Sequence, residues 1–183
     1  LSQNIHQVAA KRLWLAGLND YLQGPFYRAE IAGLHYRIYG HQAGFTLHTR
    51  GFSAQQGQLV QKLTRAIHEF EPDPQTFHHV QSMQCQSLQN TLLNKPINRL
   101  FSRLSVLIQR NTHAPVELLQ AVEQTQFDDV RRVRERAFDY YHLEGLVHGN
   151  WTAQAAERIA DSVLDINPGA KASPLPRAVA KLP

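Results

Sequence analysis

The residues with the clearest potential for chemistry in this sequence are its ten histidines and its single cysteine. Imidazole and thiolate side chains bind zinc or act as bases and nucleophiles, so their spacing decides whether they can form a site. The helical zinc-protease motifs H-E-x-x-H and H-x-x-E-H need histidines one helical turn apart. The nearest approach begins at His68 and fails at Pro72, where either motif needs a second histidine. We therefore expect His68 and Glu69 to form an exposed helix end.

The remaining histidine arrangements also fail on spacing. His78 and His79 are neighbours on a predicted helix, so their rings point about 100° apart and cannot chelate one ion. His142, Glu144 and His148 share one face of a predicted strand, but His148 lies about 20 Å from His142 at the rise of a strand. The sequence thus predicts no metal ligand and no catalytic residue in this chain.

The single cysteine also favours a structural role. Cys85 lies in the middle of a predicted helix between Gln84 and Gln86, and the sequence spacing places no histidine next to its thiol. A lone cysteine excludes an intrachain disulfide and a cysteine metal cluster. The sequence contains no G-x-S-x-G, phosphate loop or dinucleotide fingerprint. The sequon-like triplet 150–152 is interpreted as the turn that caps a helix.

Composition and charge narrow the classes of partner. The chain has 183 residues, 43% of them hydrophobic and 19% charged, which is typical of one globular domain with a real core. No stretch approaches the roughly 20 apolar residues that span a bilayer. The net charge of +4 permits some affinity for polyanions. The basic run Arg131, Arg132, Arg134 and Arg136 is predicted to be a solvated helix face, because interleaved aromatics and a nucleic-acid-binding motif are lacking. We expect neither a nucleic acid nor a membrane as partner.

Hydrophobic periodicity predicts a mixed order of elements. Leu34, Tyr36 and Ile38 alternate with polar residues, and 45–50 repeats the pattern, which predicts a hairpin. Ser53 and Gln56 have the spacing of a capping box. The predicted strands are 34–39, 45–50 and 140–148, and the predicted helices are 5–23, 27–32, 53–70, 73–94, 97–110, 115–124, 127–137 and 152–164.

This order predicts an α+β fold in which helices pack on one face of an antiparallel sheet. We assign residues 1–166 to a single domain. Residues 167–183 contain four prolines with a glycine and a serine, and this composition predicts a linker.

A sequence block near the carboxyl end carries a family resemblance. Residues 148–152 read H-G-N-W-T, followed by paired small and apolar residues at 155–156 and 159–160. This block resembles the strand–turn–helix of the pitrilysin/insulinase zinc peptidases, in which a strand ends in H-G-N-x-T.

Blocks nearer the amino end carry the same resemblance. Residues 18–21 (L-N-D-Y), 29–36 (A-E-I-A-G-L-H-Y) and 38–40 (I-Y-G) are similar to a second block of those proteins. Residues 51–52 and the helix from Gln55 match its continuation. The shared order and spacing extend over about 150 residues, and by this measure the chain is identified as a member of the family.

The resemblance implies a non-catalytic role for this chain. In that family, four related α+β domains form two bowl-shaped halves around a chamber, and the zinc motif H-x-x-E-H lies in the first domain. The blocks matched here belong to the third domain, which starts the C-terminal half and has no zinc ligands. The resemblance therefore implies a wall of the chamber that encloses peptide substrates and positions the fourth domain, with no cofactor in this chain and zinc in the full-length parent.

Further expectations follow from the same resemblance. The partners would be the other domains of the same polypeptide, and bacterial members suggest the periplasm. The alternative is an inactive, stand-alone interaction scaffold, which an upstream H-x-x-E-H in the parent gene would exclude.

The chain also departs from the family pattern. The family's first strand should precede the opening helix, whereas this chain begins inside or just before that helix and has no initial methionine, as in a fragment or a processed chain. A sheet that lacks a strand exposes backbone donors and apolar surface. We therefore expect the isolated chain to be marginally stable or to self-associate.

Overall fold

The protein's structure, a computed structural model, describes residues 4–41, 44–109, 112–167 and 169–171. The helices are α1 (Ile5–Ile31), α2 (Ser53–Glu69), α3 (Pro74–Leu92), α4 (Pro96–Ile108), α5 (Pro115–Gln124), α6 (Phe127–Arg136) and α7 (Ala153–Ile166). The strands are β1 (His35–His41), β2 (Gly44–Arg50), β3 (Tyr140–Tyr141) and β4 (Ala170–Lys171). β1 and β2 pair antiparallel, and the predicted α+β class is confirmed.

The first helix is longer than predicted. Gly24 and Pro25 are typical of a helix break, so the sequence predicts a separate second helix over 27–32. That prediction is wrong, because α1 runs uninterrupted to Ile31. Proline removes one backbone hydrogen bond and usually kinks a helix. Here Pro25 is exposed, so water can reach the backbone it disturbs, while the flanking Leu22 and Phe26 are both buried. Tertiary packing on the inner face thus holds the helix through the proline.

The hairpin lies against α1. Ile38 is buried and pairs with Leu47 across the hairpin. Asn19 of α1 donates through Nδ2 to the carbonyl oxygen of Ile38 at 3.3 Å and to that of Leu15 at 2.8 Å. Gly40 passes so near the helix that an added Cβ would come within 2.7 Å of Leu15 Cδ1. A larger residue at this position would have to displace the end of the Leu15 side chain, because helix and strand are in close contact.

The starts of α2 and α3 are stabilised in different ways. The predicted capping box at Ser53 is wrong: α2 begins at Ser53 itself, and Gln56 donates through Nε2 to the carbonyl oxygen of Gly51 at 2.6 Å. Asp73 caps α3 as predicted, since Oδ1 accepts from the backbone N–H groups of Gln75 and Thr76, each at 3.0 Å. The short carboxylate satisfies donors that a helix start leaves without partners.

The core is built around α1, which packs against α3, α5, α6 and β1. Trp14 at its centre is buried and meets Phe45 and Phe138 edge-on, with ring centroids 5.9 and 6.3 Å apart. The largest fully buried side chains are Trp14, Leu18, Leu22, Leu63, Val122 and Val130. Burying an aliphatic side chain of this kind stabilises the fold by about 1.5–3 kcal/mol.

The predicted strand 140–148 is mostly wrong. Only Tyr140–Tyr141 forms a strand, which pairs parallel with Ala170–Lys171, and residues 142–148 have no regular structure. Alternation predicts which residues would share a face, but a strand also needs a neighbour for its backbone groups. Within the described residues, no strand lies beside 142–148.

The end of the chain is described only in part. Asn167 is buried; its Nδ2 donates to the carbonyl oxygen of Val163 at 2.9 Å, and its own carbonyl oxygen accepts from Tyr141 Oη at 2.6 Å. Pro168 and 172–183, most of the predicted linker, lie outside the described residues. The domain limits therefore stay a prediction.

Candidate interaction surface

The histidines singled out in the sequence are not brought together. Within the described part of the chain, no group of three or more His, Cys, Asp or Glu side chains is placed to hold a metal ion. His78 and His79 are both exposed on α3. His142 Nε2 lies 3.4 Å from Glu144 Oε1 in an exposed pair, and His148 is exposed farther along the segment. These residues form no chemical centre.

The thiol of Cys85 is also poorly suited to nucleophilic chemistry. It lies half-buried on α3. Burial, and to a smaller extent the negative charge of Glu123, raises the pKa of the Cys85 thiol above its ordinary value. The thiolate is the reactive form, so this environment keeps the group protonated and unreactive at neutral pH.

A hydrogen-bonded pair joins the end of α1 to the start of β1. Glu30 Oε2 lies 2.7 Å from His35 Nδ1, and Glu30 Oε1 accepts from the backbone N–H of Tyr36 at 3.1 Å. The hydrogen bond to His35 is the main cause that holds the pKa of Glu30 below its usual value. These contacts tie the last turn of the helix to the first residues of the strand, which is a structural role.

The basic run contains one residue with a different role. Arg131 and Arg132 lie on a solvated face as predicted, each paired with acidic residues of α6. Arg134 instead turns inward with 17% of its side chain exposed. It donates through Nε to the carbonyl oxygen of Phe70 at 2.9 Å and through Nη2 to that of His68 at 2.7 Å. The sequence interpretation missed this contact, which joins α6 to the end of α2.

Half-buried amides connect the central helices. Gln81 of α3 donates through Nε2 to the carbonyl oxygens of Val122 at 2.8 Å and Thr125 at 2.9 Å. Arg12 of α1 donates through Nε to Gln84 Oε1 at 2.7 Å. Together with the apolar core, these contacts make α1, α3, α5 and α6 the framework that carries the exposed elements.

The two best-formed hollows among the described residues are small. The space enclosed by α1, α3 and α6 measures about 10 Å³, room for a single water. A shallow depression of about 220 Å³ on α3 is lined by Met83, Gln86, Ser87 and Asn90. Sites for small molecules are usually about 300–1,000 Å³, so neither hollow has the size of such a site.

The largest exposed apolar feature is one face of α4. None of the residues of α4 is buried, although the helix is strongly amphipathic. Its large apolar side chains are between 43% and 71% exposed. We call this face the α4 stripe; it consists of Ile97, Leu100, Phe101, Leu104, Leu107 and Ile108.

Three cations follow an oblique row on α4. Lys95, Arg99 and Arg103 are spaced by four residues, so Arg103 borders the α4 stripe while Arg99 and Lys95 turn away from it. All three are exposed, and no ion pair to them is formed within the described residues. Between Asp73 and Glu117 the sequence has no acidic residue at all. That acid-free stretch was the sequence signal that could have identified α4 as unusual.

A second exposed feature is residues 142–148, which we call the open segment. Its backbone makes no hydrogen bond to other backbone groups of the described chain. It also carries exposed apolar side chains, and Leu146 is 94% exposed. Unpaired backbone with exposed apolar side chains is the kind of surface that proteins normally cover or pair. The α4 stripe and the open segment are thus the candidate interaction surfaces.

Comparison with known proteins places the fold in a family. Residues 1–121 match the family model described as the middle or third domain of peptidase M16. The chain is 33% identical over 159 residues to an insulin-degrading enzyme of Drosophila melanogaster, covering 87% of this chain and 16% of that protein. Over 153 residues it is 29% identical to insulin-degrading enzyme of Homo sapiens, covering 84% and 15%.

A plant relative shows the same partial coverage. The chain is 24% identical over 149 residues to insulin-degrading enzyme-like 1, peroxisomal, of Arabidopsis thaliana, covering 81% of this chain and 15% of that protein. The chain therefore spans 15% to 16% of the length of these relatives. No helix in the described ranges combines the length and the apolar character needed to cross a bilayer.

Proposed function

Since the chain belongs to the pitrilysin/insulinase family of M16 peptidases, as a middle or third domain, we propose that it is a non-catalytic part of a zinc peptidase. One observation carries the proposal: residues 1–121 match the model of that domain, and the whole chain corresponds to about a sixth of relatives whose names include insulin-degrading enzyme. A length of this kind corresponds to one domain of a larger enzyme.

The parent's chemistry would take place outside this chain. In a zinc peptidase, the metal activates water for attack on a peptide carbonyl. The described residues do not fit a zinc site, because they contain no group of three or more suitable ligands. We therefore assign no step of the reaction to this chain.

The role left to the domain is mechanical. A wall that encloses peptide substrates must hold its shape, and the framework around α1 is suited to that because Arg134 and Gln81 join helices through half-buried hydrogen bonds. The exposed α4 stripe and open segment provide surface for the other domains of the polypeptide. The chamber and its peptide substrates are part of the proposal, as is a periplasmic location.

The test compares the full-length parent with this 183-residue chain. Zinc content and chelator-sensitive peptide cleavage are measured on both. We expect zinc and cleavage in the parent and neither in the chain. Stoichiometric zinc with cleavage in the chain alone would overturn the non-catalytic assignment. A parent without zinc or cleavage would instead support an inactive scaffold of the same fold.

A further inference from the structure

The exposed face of α4 indicates what covers it. Building on the proposed function, we infer that the α4 stripe is the docking face for another part of the same polypeptide. The surface that covers it is apolar and carries an acidic side chain at the edge that meets Arg103. Three observations lead to this: the exposure of the stripe, the position of its cations, and the length of the relatives.

The stripe is too large and continuous to be ordinary surface. Its members recur at spacings of three and four residues, so they form a single apolar band along the helix. Leu107 is 71% exposed, and Leu100 and Phe101 are each 60% exposed. Large contiguous apolar patches on a globular protein mark an interaction site, whereas isolated exposed apolar residues need no explanation.

One cation borders this band, on one side. In a helix with 3.6 residues per turn, Arg103 lies beside Leu100 and Leu107. Arg99 and Lys95, each about 40° farther round, turn towards the opposite face of the helix. The other side of the band is bordered by Asn98 and small polar residues. A complementary surface therefore has a carboxylate where it meets Arg103 and uncharged groups along the other edge.

The same polypeptide is the occupant favoured by the length of the relatives. The chain corresponds to 15% or 16% of the proteins it matches, so most of a parent of that size lies outside this domain. A helix face that stays apolar along its whole length fits a permanent contact between domains, because lasting interfaces are the more apolar ones.

A second copy of the chain and a membrane fit less well. Two α4 helices packed on each other would bring together cation rows from a stretch, 74–116, that contains no carboxylate. Helices that lie in a membrane interface carry a strongly charged polar face. Opposite the stripe, Lys95 and Arg99 do provide charge. However, Ser102, Ser105 and Val106 on that face are half-buried, whereas a helix in a membrane interface turns its polar face to water.

The experiment measures accessibility in the full-length parent. Cysteine is introduced by Leu104→Cys in the stripe and, as matched control, by Asn98→Cys on the same helix but off the stripe; Cys85 is changed to Ser in both. Maleimide modification is followed by mass spectrometry of peptides from α4. We expect Leu104→Cys to react at least about tenfold more slowly than Asn98→Cys, because docking must open before the thiol is reached.

Each other outcome contradicts the inference. Equal rates would mean that nothing covers the stripe, protection that is lost on dilution would mean a second copy, and protection only with anionic phospholipid vesicles would mean a membrane. Arg103→Glu should speed modification of Leu104→Cys, whereas Lys62→Glu on α2 should not; no effect of Arg103→Glu would contradict the acidic edge. Zinc-dependent cleavage by the unsubstituted parent is measured separately, so failure of the docking inference is distinguished from failure of the proposed function.

Discussion

The guanidinium of Arg134 donates through Nη2 to the carbonyl oxygen of His68 at 2.7 Å, and its Nε donates to the carbonyl oxygen of Phe70 at 2.9 Å. These carbonyl groups belong to the end of α2, where a helix leaves acceptors without intrahelical partners. A cation is also favoured there by the helix dipole. One side chain of α6 thus closes the end of α2.

Replacing this arginine should weaken the fold. We expect Arg134→Ala to lower the free energy of unfolding by about 1–3 kcal/mol, because it leaves half-buried acceptors without donors. Arg131→Ala on the same helix is the control: its exposed ion pairs should contribute no more than about 1 kcal/mol. Urea denaturation of the chain measures both, and similar losses would show that the inward contact of Arg134 is unimportant.

The pair of Glu30 and His35 predicts a dependence on acid. The folded state holds the pKa of Glu30 below its unfolded value. The contribution of ionised Glu30 to the free energy of unfolding is therefore fully present above about pH 4.5, and it is lost as the pH falls through the folded pKa. We expect Glu30→Gln to reduce the stability at neutral pH and to flatten its decline below that pH. Thermal melts between pH 7 and about pH 3 follow the change.

The control for this variant is Glu69→Gln, which makes the same change of charge on the exposed end of α2. We expect its acid profile to follow that of the unsubstituted chain. If the thermal stability of all three proteins declines in parallel as the pH falls, Glu30 does not contribute to the acid dependence.

Two glycines should respond oppositely to alanine. At Gly57, inside α2, an added Cβ would meet Ile159 Cγ1 of α7 at 3.8 Å, an ordinary contact. Since glycine costs a helix interior about 0.5–1 kcal/mol relative to alanine, Gly57→Ala should raise the midpoint of thermal unfolding. At Gly51 the backbone has a φ of +145° and the Cβ would lie 2.7 Å from the carbonyl oxygen of Gly33, so Gly51→Ala should lower it. A decrease for Gly57→Ala would show that α2 and α7 pack more tightly than described.

The open segment should drive association of the isolated chain. Leu146 is 94% exposed, and its backbone has no strand partner in the described chain; unpaired backbone of this kind can pair with other chains. We expect the unsubstituted chain to self-associate and Leu146→Lys to lower its mass in light scattering, because charge on an exposed edge opposes pairing. Gln61→Lys on the exposed side of α2 is the control for charge alone. A monomeric unsubstituted chain would refute the prediction.

Local chemistry made much of the fold predictable. The start of α3 follows from Asp73 and Pro74, whose side chains act on the neighbouring backbone. The hairpin follows from alternation at Leu34, Tyr36 and Ile38. The zinc-protease motif that begins at His68 is not completed at position 72, and the sequence alone shows this. These features depend on residues a few positions apart, so the sequence contains their whole cause.

Other features depended on contacts between distant parts of the chain. The continuation of α1 through Pro25 relies on the burial of Leu22 and Phe26, and a proline next to glycine does not reveal it. The inward turn of Arg134 needs the end of α2, 64 residues away in sequence. Periodicity identified neither contact, because it reports the faces of an element and not what lies opposite them.

By itself the sequence determined the positions of most helices, the hairpin, the lack of a zinc-protease motif and the family resemblance. The tertiary structure alone decided that 142–148 has no strand partner in the described chain and that the α4 stripe faces outward. An apolar band predicts that a helix face will be covered, but the same band forms whether the cover is this domain's core or another surface. Only the positions of the surrounding elements distinguish the two, and here they leave the face of α4 exposed.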